Sequence, residues 1–224
     1  MSAMKTVKGR KVVLFDLDGT LLDTLDDLAA AVNAALTLHG FPKRTREEVR
    51  RFIGNGIVKL MERAVGEENA ATVDMAKVIA DFKEYYFAHC EDYTAPYQGI
   101  MDVLAALRAQ GARVGVVSNK ADFAVQKLCT AYFGDLVEVA IGENEAVGRK
   151  RKPAPDTLLE AMRVFGVDAD DVVYVGDSEV DIWTAKNAGV DCVSVTWGMK
   201  DEDFLLENGA SILIKRVEDL LGVL

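Results

Sequence analysis

The chain has 224 residues, 50% hydrophobic and 28% charged, which suits a folded core and excludes disordered or collagen-like polymers. With Asp+Glu 36 against Lys+Arg 26, the formal net charge is -10, leaving no broad basic face for a nucleic-acid backbone. No apolar run approaches the roughly 18 residues that cross a bilayer, and Lys5, Lys8, Arg10 and Lys11 lead into too short an apolar stretch for a secretory signal.

A soluble, cytoplasmic protein is therefore expected, with neither nucleic acid nor membrane as partner. Cys90, Cys129 and Cys192 are widely spaced and odd in number, which predicts reduced, buried thiols rather than a disulfide framework or a zinc site.

The first predicted strand is Val12–Phe15, a short apolar run closed by turn residues. Residues 23–93 follow with helical periodicity and no convincing strand, and read as a four-helix insertion. Thr24 and Asp27 resemble a capping box ahead of the apolar stripe Leu25, Leu28, Val32 and Leu36, and Thr45 with Glu48 repeats the pattern. Gly54-Asn55-Gly56 interrupts the next helix, and Val73, Ala76, Ala80, Phe87 and Cys90 mark one face of a longer one. Phe82, Tyr85, Tyr86 and Phe87 read as core of the insertion. The turn at residues 95–99 then returns the chain to a helix at 101–110.

Strands are predicted at 113–117, 137–141, 172–175, 192–195 and 212–214, with helices at 123–131, Asp156–Phe165 and 181–188 between them. That alternation predicts an α/β fold, a Rossmann-like, mainly parallel sheet interrupted by an all-helical cap domain. The expected boundaries are 1–22 with 95–224 for the core and 23–94 for the cap.

Four strand or loop ends carry candidate chemistry. Asp16-Leu17-Asp18-Gly19-Thr20 puts two carboxylates directly after a buried strand, where open α/β sheets bind ligands. Alternate residues of an extended segment share a face, and nearby carboxylates suit a hard cation such as Mg²⁺; a surface turn is the alternative. Ser118-Asn119-Lys120 ends the second strand as a polar turn able to offer a hydroxyl and N–H groups to phosphate, although alone it reads equally as loop capping. Lys152 precedes Pro153, a stiffened cation among Arg149, Lys150 and Arg151 that alone reads as a solvated basic run. Gly176-Asp177-Ser178 ends a further strand, with Asp181 four residues past Asp177 as acid or helix N-cap.

This order of Asp/Asp, Ser, Lys and Asp/Asp resembles the haloacid dehalogenase-like phosphohydrolase superfamily, whose motifs read hhhhDxDGT, hhhS, K and GDxxxD, h being apolar. The likeness spans nearly the whole chain, and the second Asp of the first motif argues against true haloacid dehalogenases. Residues 15–23, 52–56, Lys152-Pro153 and Gly176-Asp177-Ser178 most resemble phosphoglycolate phosphatases.

The resemblance implies that Asp16 is a nucleophile forming an aspartyl-phosphate and that Asp18 transfers protons in both half-reactions. It implies Mg²⁺ on Asp16, the backbone carbonyl of Asp18 and Asp177, with Asp181 in support, and phosphate oxygens held by Thr20, Ser118, Asn119 and Lys152. Gly54, Asn55 and Gly56 become the cap segment for substrate specificity, with Arg51 and Lys59 as lesser candidates. The implied partner is a small phosphorylated metabolite, most of all 2-phosphoglycolate, handled by a monomer or homodimer. A phosphomutase of the β-phosphoglucomutase type, or a pyrophosphatase or nucleotidase of the same superfamily, is the alternative. Phosphonatase chemistry needs a cap lysine, and no motif selects among Lys43, Lys59, Lys77 and Lys83. His39 and His89 lie away from every core motif.

Overall fold

The computed structural model describes residues 6–224. In chain order, β1 (Val12–Phe15) and β2 (Leu22–Asp23) precede α1 (Leu25–Leu38), α2 (Arg46–Phe52), α3 (Gly56–Val65), α4 (Glu67–Ala70) and α5 (Met75–His89). The strand β3 (Ala95–Pro96) then leads to α6 (Ile100–Ala109), β4 (Arg113–Ala121), α7 (Asp122–Phe133), β5 (Val139–Glu143) and α8 (Asp156–Phe165). The chain ends with β6 (Val172–Gly176), α9 (Glu179–Ala188), β7 (Asp191–Val195), α10 (Glu202–Glu207), β8 (Leu213–Ile214) and α11 (Leu220–Val223). Two compact units result: residues up to Leu22 with Pro96–Leu224, and Asp23–Ala95. No helix among the described residues is long and apolar enough to cross a membrane.

The first unit is built on a six-stranded sheet of order β5-β4-β1-β6-β7-β8. Every strand pair in it is parallel. Parallel strands with helices on both faces are buried on both faces, which is why Val12–Phe15 and Val172–Gly176 are apolar and buried without alternation. Leu14, Val117, Leu158, Phe165 and Tyr174 share one core cluster. Each such fully buried apolar side chain contributes about 1.5–3 kcal/mol. Gly115 lets the layers close, since a Cβ there would lie 2.8 Å from Leu14 and 2.9 Å from Phe165.

The winding direction reverses at β1: β4 and β5 lie to one side of it, β6, β7 and β8 to the other. Crevices at such a switch point open at the carboxyl ends of the strands. The ends of β4 and β6 thus flank the end of β1, and this brings distant sequence segments to one place.

In the helical unit, α1 packs on α5. The α1 side contributes Leu28, Val32 and Leu36, and the α5 side Val78, Phe82 and Tyr86, all buried. This seam corrects the expected face, because Ala76, Ala80 and Phe87 are exposed and only Cys90 of that face and Phe82 and Tyr86 of the aromatic group are buried. The aromatics recur at i and i+4 with Val78, so their larger apolar area takes the inward position from the alanines. The single-turn α4 makes five helices where four were expected.

Thr45 and Glu48 form the expected capping box. Thr24 does not, since its side chain makes no cap hydrogen bond and Asp27 serves another purpose. The buried Asp27 carboxylate accepts from the Tyr93 and Thr94 N–H groups at 3.0 and 2.8 Å and from the Thr94 hydroxyl at 2.7 Å. It thereby pins the start of the helical unit to its end, 67 residues later.

Leaving buried donors without an acceptor costs about 1–3 kcal/mol per group, so Asp27→Ala should lower unfolding stability by about 3 kcal/mol. Urea unfolding followed by circular dichroism measures it. A loss below about 1 kcal/mol would show that the carboxylate is not the tie.

Candidate active site

The first motif is shaped by a strand and the turn after it. The Asp16 N–H donates to Val175 O at 2.8 Å, extending the β1 pairing by one residue and fixing where the Asp16 side chain begins. The Leu17 carbonyl then accepts from the N–H groups of Thr20, Leu21 and Leu22, closing a tight turn in which Gly19 has φ +85. Gly19 also permits close approach: a Cβ there would lie 2.3 Å from Asp177 Oδ2.

The second motif differs from expectation. Ser118, Asn119 and Lys120 belong to β4 itself, which runs to Ala121 with a register shift after Val117, rather than to a turn. Ser118 is buried, and its Oγ accepts from the Lys120 N–H at 3.3 Å. The Asn119 amide clamps another segment: Nδ2 donates to Lys152 O at 3.0 Å and Oδ1 accepts from Lys152 N–H at 2.6 Å. Its side chain thus positions Lys152. The Lys120 ammonium lies 2.8 and 3.0 Å from the two carboxylate oxygens of Asp18.

Lys152 is not part of a solvated basic run. It is 4% exposed. Its ammonium donates to Asp181 Oδ1 at 2.7 Å and to the Tyr174 hydroxyl at 2.8 Å. It also lies 2.9 Å from Asp16 Oδ1, as an ion pair. Its neighbour Arg149 instead pairs with Glu160 at 2.7 Å.

After β6, Asp177 Oδ2 accepts from the Met199 N–H at 2.6 Å, and the Thr20 hydroxyl donates to Asp177 Oδ1 at 3.5 Å. Asp181 lies in the first turn of α9 and is not its N-cap; that position is Ser178, whose N–H and hydroxyl donate to Asp181 Oδ2 at 3.1 and 2.6 Å. Gly176 makes room for this turn, because a Cβ on it would touch Asp181 at 2.4 Å.

Asp16, Asp177 and Asp181 are all buried, and one carboxylate oxygen of each lies within 4.8 Å of the others. Like charges about that far apart repel by ~3–4 kcal/mol at an effective dielectric of about 20, whereas an ammonium at hydrogen-bond distance attracts by ~6 kcal/mol. Lys152 therefore offsets the mutual repulsion and leaves the cost of burial standing. Burial accordingly pushes the Asp16 carboxyl up to about 6 against the pull of Lys152, with Asp181 adding to the rise. Asp177 is raised well above the carboxylate range by burial and then by the charges of Asp181 and Asp16. Burial works against the Lys152 ammonium, yet Asp16 and Asp181 outweigh it and hold its pKa above the ordinary lysine value.

These residues fit a hard divalent cation. The oxygens are anionic and gathered, and Asp16 Oδ1 is buried without a hydrogen-bond partner. Asp181, by contrast, has both oxygens engaged by Lys152, Tyr174 and Ser178, which suits support more than direct ligation.

Three contributors were not singled out from sequence. Tyr174 reads as a core aromatic in an apolar strand, and only its hydroxyl, bonded to Lys152 and Asp181, reveals more. Gly198 and Met199 follow β7, and the Met199 N–H holds Asp177. A glycine after a strand in Thr196-Trp197-Gly198 was the available signal.

Gly54 and Gly56 lie in the helical unit with φ +120 and +78, flanking Asn55 at the start of α3. In the same unit Arg51 is exposed near Glu47 and Lys59 pairs with Glu62. His39 and His89 pair with Asp81 and Asp92. Cys90, Cys129 and Cys192 are not joined in disulfides; the first two are buried and Cys192 is half-buried.

The family described as haloacid dehalogenase-like hydrolase matches residues 13–195. Phosphoglycolate phosphatase 1 of Pseudomonas aeruginosa is 33% identical over 216 residues, covering 94% of this chain and 78% of that protein. A solved structure of a candidate phosphoglycolate phosphatase from Lactobacillus delbrueckii subsp. bulgaricus superposes with a TM-score of 0.89 at 36% identity, covering 94% of this chain and 96% of that one. CbbY from Rhodobacter sphaeroides, solved in complex with phosphate, gives a TM-score of 0.75 at 26% identity, covering 92% and 93% of the two chains.

A Cβ on Gly198 would lie 2.2 Å from both Asp177 Oδ2 and the Gly19 carbonyl, so Gly198→Ala must displace the acid or the turn beneath it. With Mg²⁺ as the probe cation, we expect at least about tenfold weaker divalent-cation binding, the scale on which supporting residues act at metal sites. Isothermal titration calorimetry on the folded variant tests this. Unchanged affinity would remove the loop after β7 from the site.

Proposed function

The chain belongs to the haloacid dehalogenase-like hydrolase family, and we propose that it is a Mg²⁺-dependent phosphatase acting on 2-phosphoglycolate through an aspartyl-phosphate. It is a phosphoric monoester hydrolase, as the family match and its phosphoglycolate phosphatase relatives support. The observation that carries the proposal is the buried set of Asp16, Lys152, Asp177 and Asp181 at the carboxyl ends of β1 and β6, with Asp18 two residues past Asp16. The substrate rests on the relatives' names.

Asp16 attacks phosphorus; its oxygen–phosphorus bond forms as the bond to the leaving alkoxide breaks, and Asp18 gives that alkoxide its proton. Asp18 then takes a proton from water as the water oxygen bonds to phosphorus and the Asp16 bond breaks, releasing phosphate. Splitting one displacement into two is the advantage of a covalent nucleophile. Lys152 faces the nucleophile and supplies fixed positive charge for the phosphoryl oxygens, with Ser118 and the backbone around Thr20 and Asn119 as further donors. Asp16, Asp177 and the Asp18 carbonyl are the proposed Mg²⁺ ligands, with Asp181 in support through its hold on Lys152. Bound Mg²⁺ supplies charge neutralisation for the nucleophile and the phosphoryl oxygens. Gly54-Asn55-Gly56 is assigned to substrate discrimination.

The test is phosphate release from 2-phosphoglycolate, sugar phosphates, nucleotides and pyrophosphate, with Mg²⁺ or EDTA, using wild type and Asp16→Asn. We expect Mg²⁺-dependent release, fastest from 2-phosphoglycolate, and its abolition in the folded variant. Isomerised phosphate in place of free phosphate would establish a mutase, and turnover by Asp16→Asn would remove Asp16 from its role.

Proton and cation compete for Asp16. Because its pKa is raised from 3.8 to about 6, the metal-free native state keeps this proton to a higher pH than the unfolded chain does. This group's contribution to metal-free stability therefore falls as pH rises from about 4 to about 6. Cation affinity runs the opposite way, and calorimetry from pH 5 to 8 should find Mg²⁺ binding weakening as pH drops through about 6, with proton release on binding. An affinity flat across that range would contradict the assignment of Asp16 as a ligand.

A further inference from the structure

We propose that Lys120 is a positioning residue for proton transfer, holding the Asp18 carboxyl at one fixed point through both half-reactions. The inference rests on the phosphatase reading above and adds to it a residue that none of the four motif roles includes.

The geometry is specific. Lys120 Nζ contacts both Asp18 oxygens, at 2.8 and 3.0 Å, so it fixes the rotation of the carboxyl group as well as its place. The lysine side chain is 5% exposed and the aspartate side chain 16%, so water competes little for either. Three features set the ammonium there. Lys120 lies near the carboxyl end of β4, the strand paired directly with β1. Its N–H bonds Ser118 Oγ at 3.3 Å, which ties its backbone to the proposed phosphate donor. The register shift after Val117 changes the path of the strand just where this side chain leaves it.

The chemistry needs such a hold. Asp18 follows the nucleophile in a turn, where its own χ angles leave several positions open to the carboxyl. A proton donor acts only within hydrogen-bond reach of the leaving oxygen, and the same group must later meet the incoming water. An ammonium can donate to either carboxylate oxygen and to the carbonyl oxygen of the protonated acid, so the contact survives the shuttling of the proton. Lys152 cannot serve here, since its ammonium is engaged by Asp16, Asp181 and Tyr174.

The test compares wild type, Lys120→Met, Lys120→Arg, Asp18→Asn and the Asp18→Asn/Lys120→Met double variant on 2-phosphoglycolate and p-nitrophenyl phosphate. The nitrophenolate leaves without a proton, whereas the glycolate alkoxide requires one. Lys120→Met should lose about 100-fold in kcat on 2-phosphoglycolate, the scale of a misplaced acid or base. On p-nitrophenyl phosphate it should keep a rapid, stoichiometric burst of nitrophenolate followed by slow turnover, because only the water step then needs Asp18. The double variant should be no slower than Asp18→Asn, since residues acting as a unit are non-additive, and Lys120→Arg should recover part of the loss.

Equal loss of burst and turnover on both esters, full multiplication of the two single losses, or unchanged kinetics would each overturn the proposal. A wild type that releases phosphate from no ester overturns the phosphatase reading itself, which these variant results with an active wild type would leave standing.

Discussion

The structure turns on one electrostatic constraint, which is that Asp16, Asp177 and Asp181 are buried together with a single ammonium, Lys152, among them. Ion pairs taken out of water return little net stability unless every remaining lone pair and proton is satisfied, and removing one partner costs about 3–5 kcal/mol. The surroundings meet much of that demand and leave Asp16 Oδ1 without a hydrogen-bond partner. Ser118 and Thr20 are buried hydroxyls; Tyr174, Ser178 and Met199 donate or accept at the acids and the lysine; Asn119 fixes the Lys152 backbone from both sides. A fold under no functional demand has no reason to bury this set in place of apolar side chains of similar volume. The raised Asp16 and Asp177 carboxyls are what that demand leaves over: first the cost of burial, and then the charges of the neighbouring acids.

The parallel sheet makes the arrangement possible. Because the winding reverses at β1, the ends of β4 and β6 flank its own, and residues more than a hundred positions apart in sequence become neighbours. Glycines then let the segments close. Gly19, Gly176 and Gly198 each stand where a single Cβ would strike Asp177, Asp181 or the first turn, so the acids are held by backbone that approaches them without side chains between. Asp16 and Asp177 follow directly on rigid strands, and short loops supply Lys152 and the contacts that orient the acids.

Much of this was legible in the chain. The apolar run before Asp16 and the β-branched strands that follow gave a parallel sheet, because strands buried on both faces leave no other pattern. Thr45 and Glu48 announced their capping box by spacing alone. Thr24 and Asp27 carried the same spacing and misled, since a carboxylate in a first turn can serve a distant segment as readily as its own helix, and only tertiary structure shows Tyr93 and Thr94 at hand. The seam of α5 was misread because Ala76 and Ala80 kept helical spacing while Phe82 and Tyr86 offered more area to bury. Lys152 looked solvated beside three other cations, and its burial follows from partners just after β1 and on α9 that the linear sequence keeps far apart. The roles of Tyr174 and Lys120 were invisible for the same reason: one reads as a core aromatic of a strand and the other as part of a polar turn until the neighbouring segments are known.

The same charge balance bears on how an anionic ester could enter. With Asp18 included, four carboxylates stand near two ammonium groups, Lys120 and Lys152, in a protein whose formal net charge is already -10. A phosphate monoester meeting that set alone would add negative charge to a region of low dielectric that already lacks compensation, and the repulsion between close like charges there amounts to several kcal/mol. Asp16, Asp177 and the Asp18 carbonyl, with a divalent cation held among them, would bring that sum of four negative and two positive charges to neutral, and the proton affinity of Asp16 would fall in the same act, readying the nucleophile and removing the net repulsion the ester would meet. In the proposed reaction, cation before ester is therefore the order that electrostatics favours, and the burial that raises the acids' pKa values is what makes that order matter.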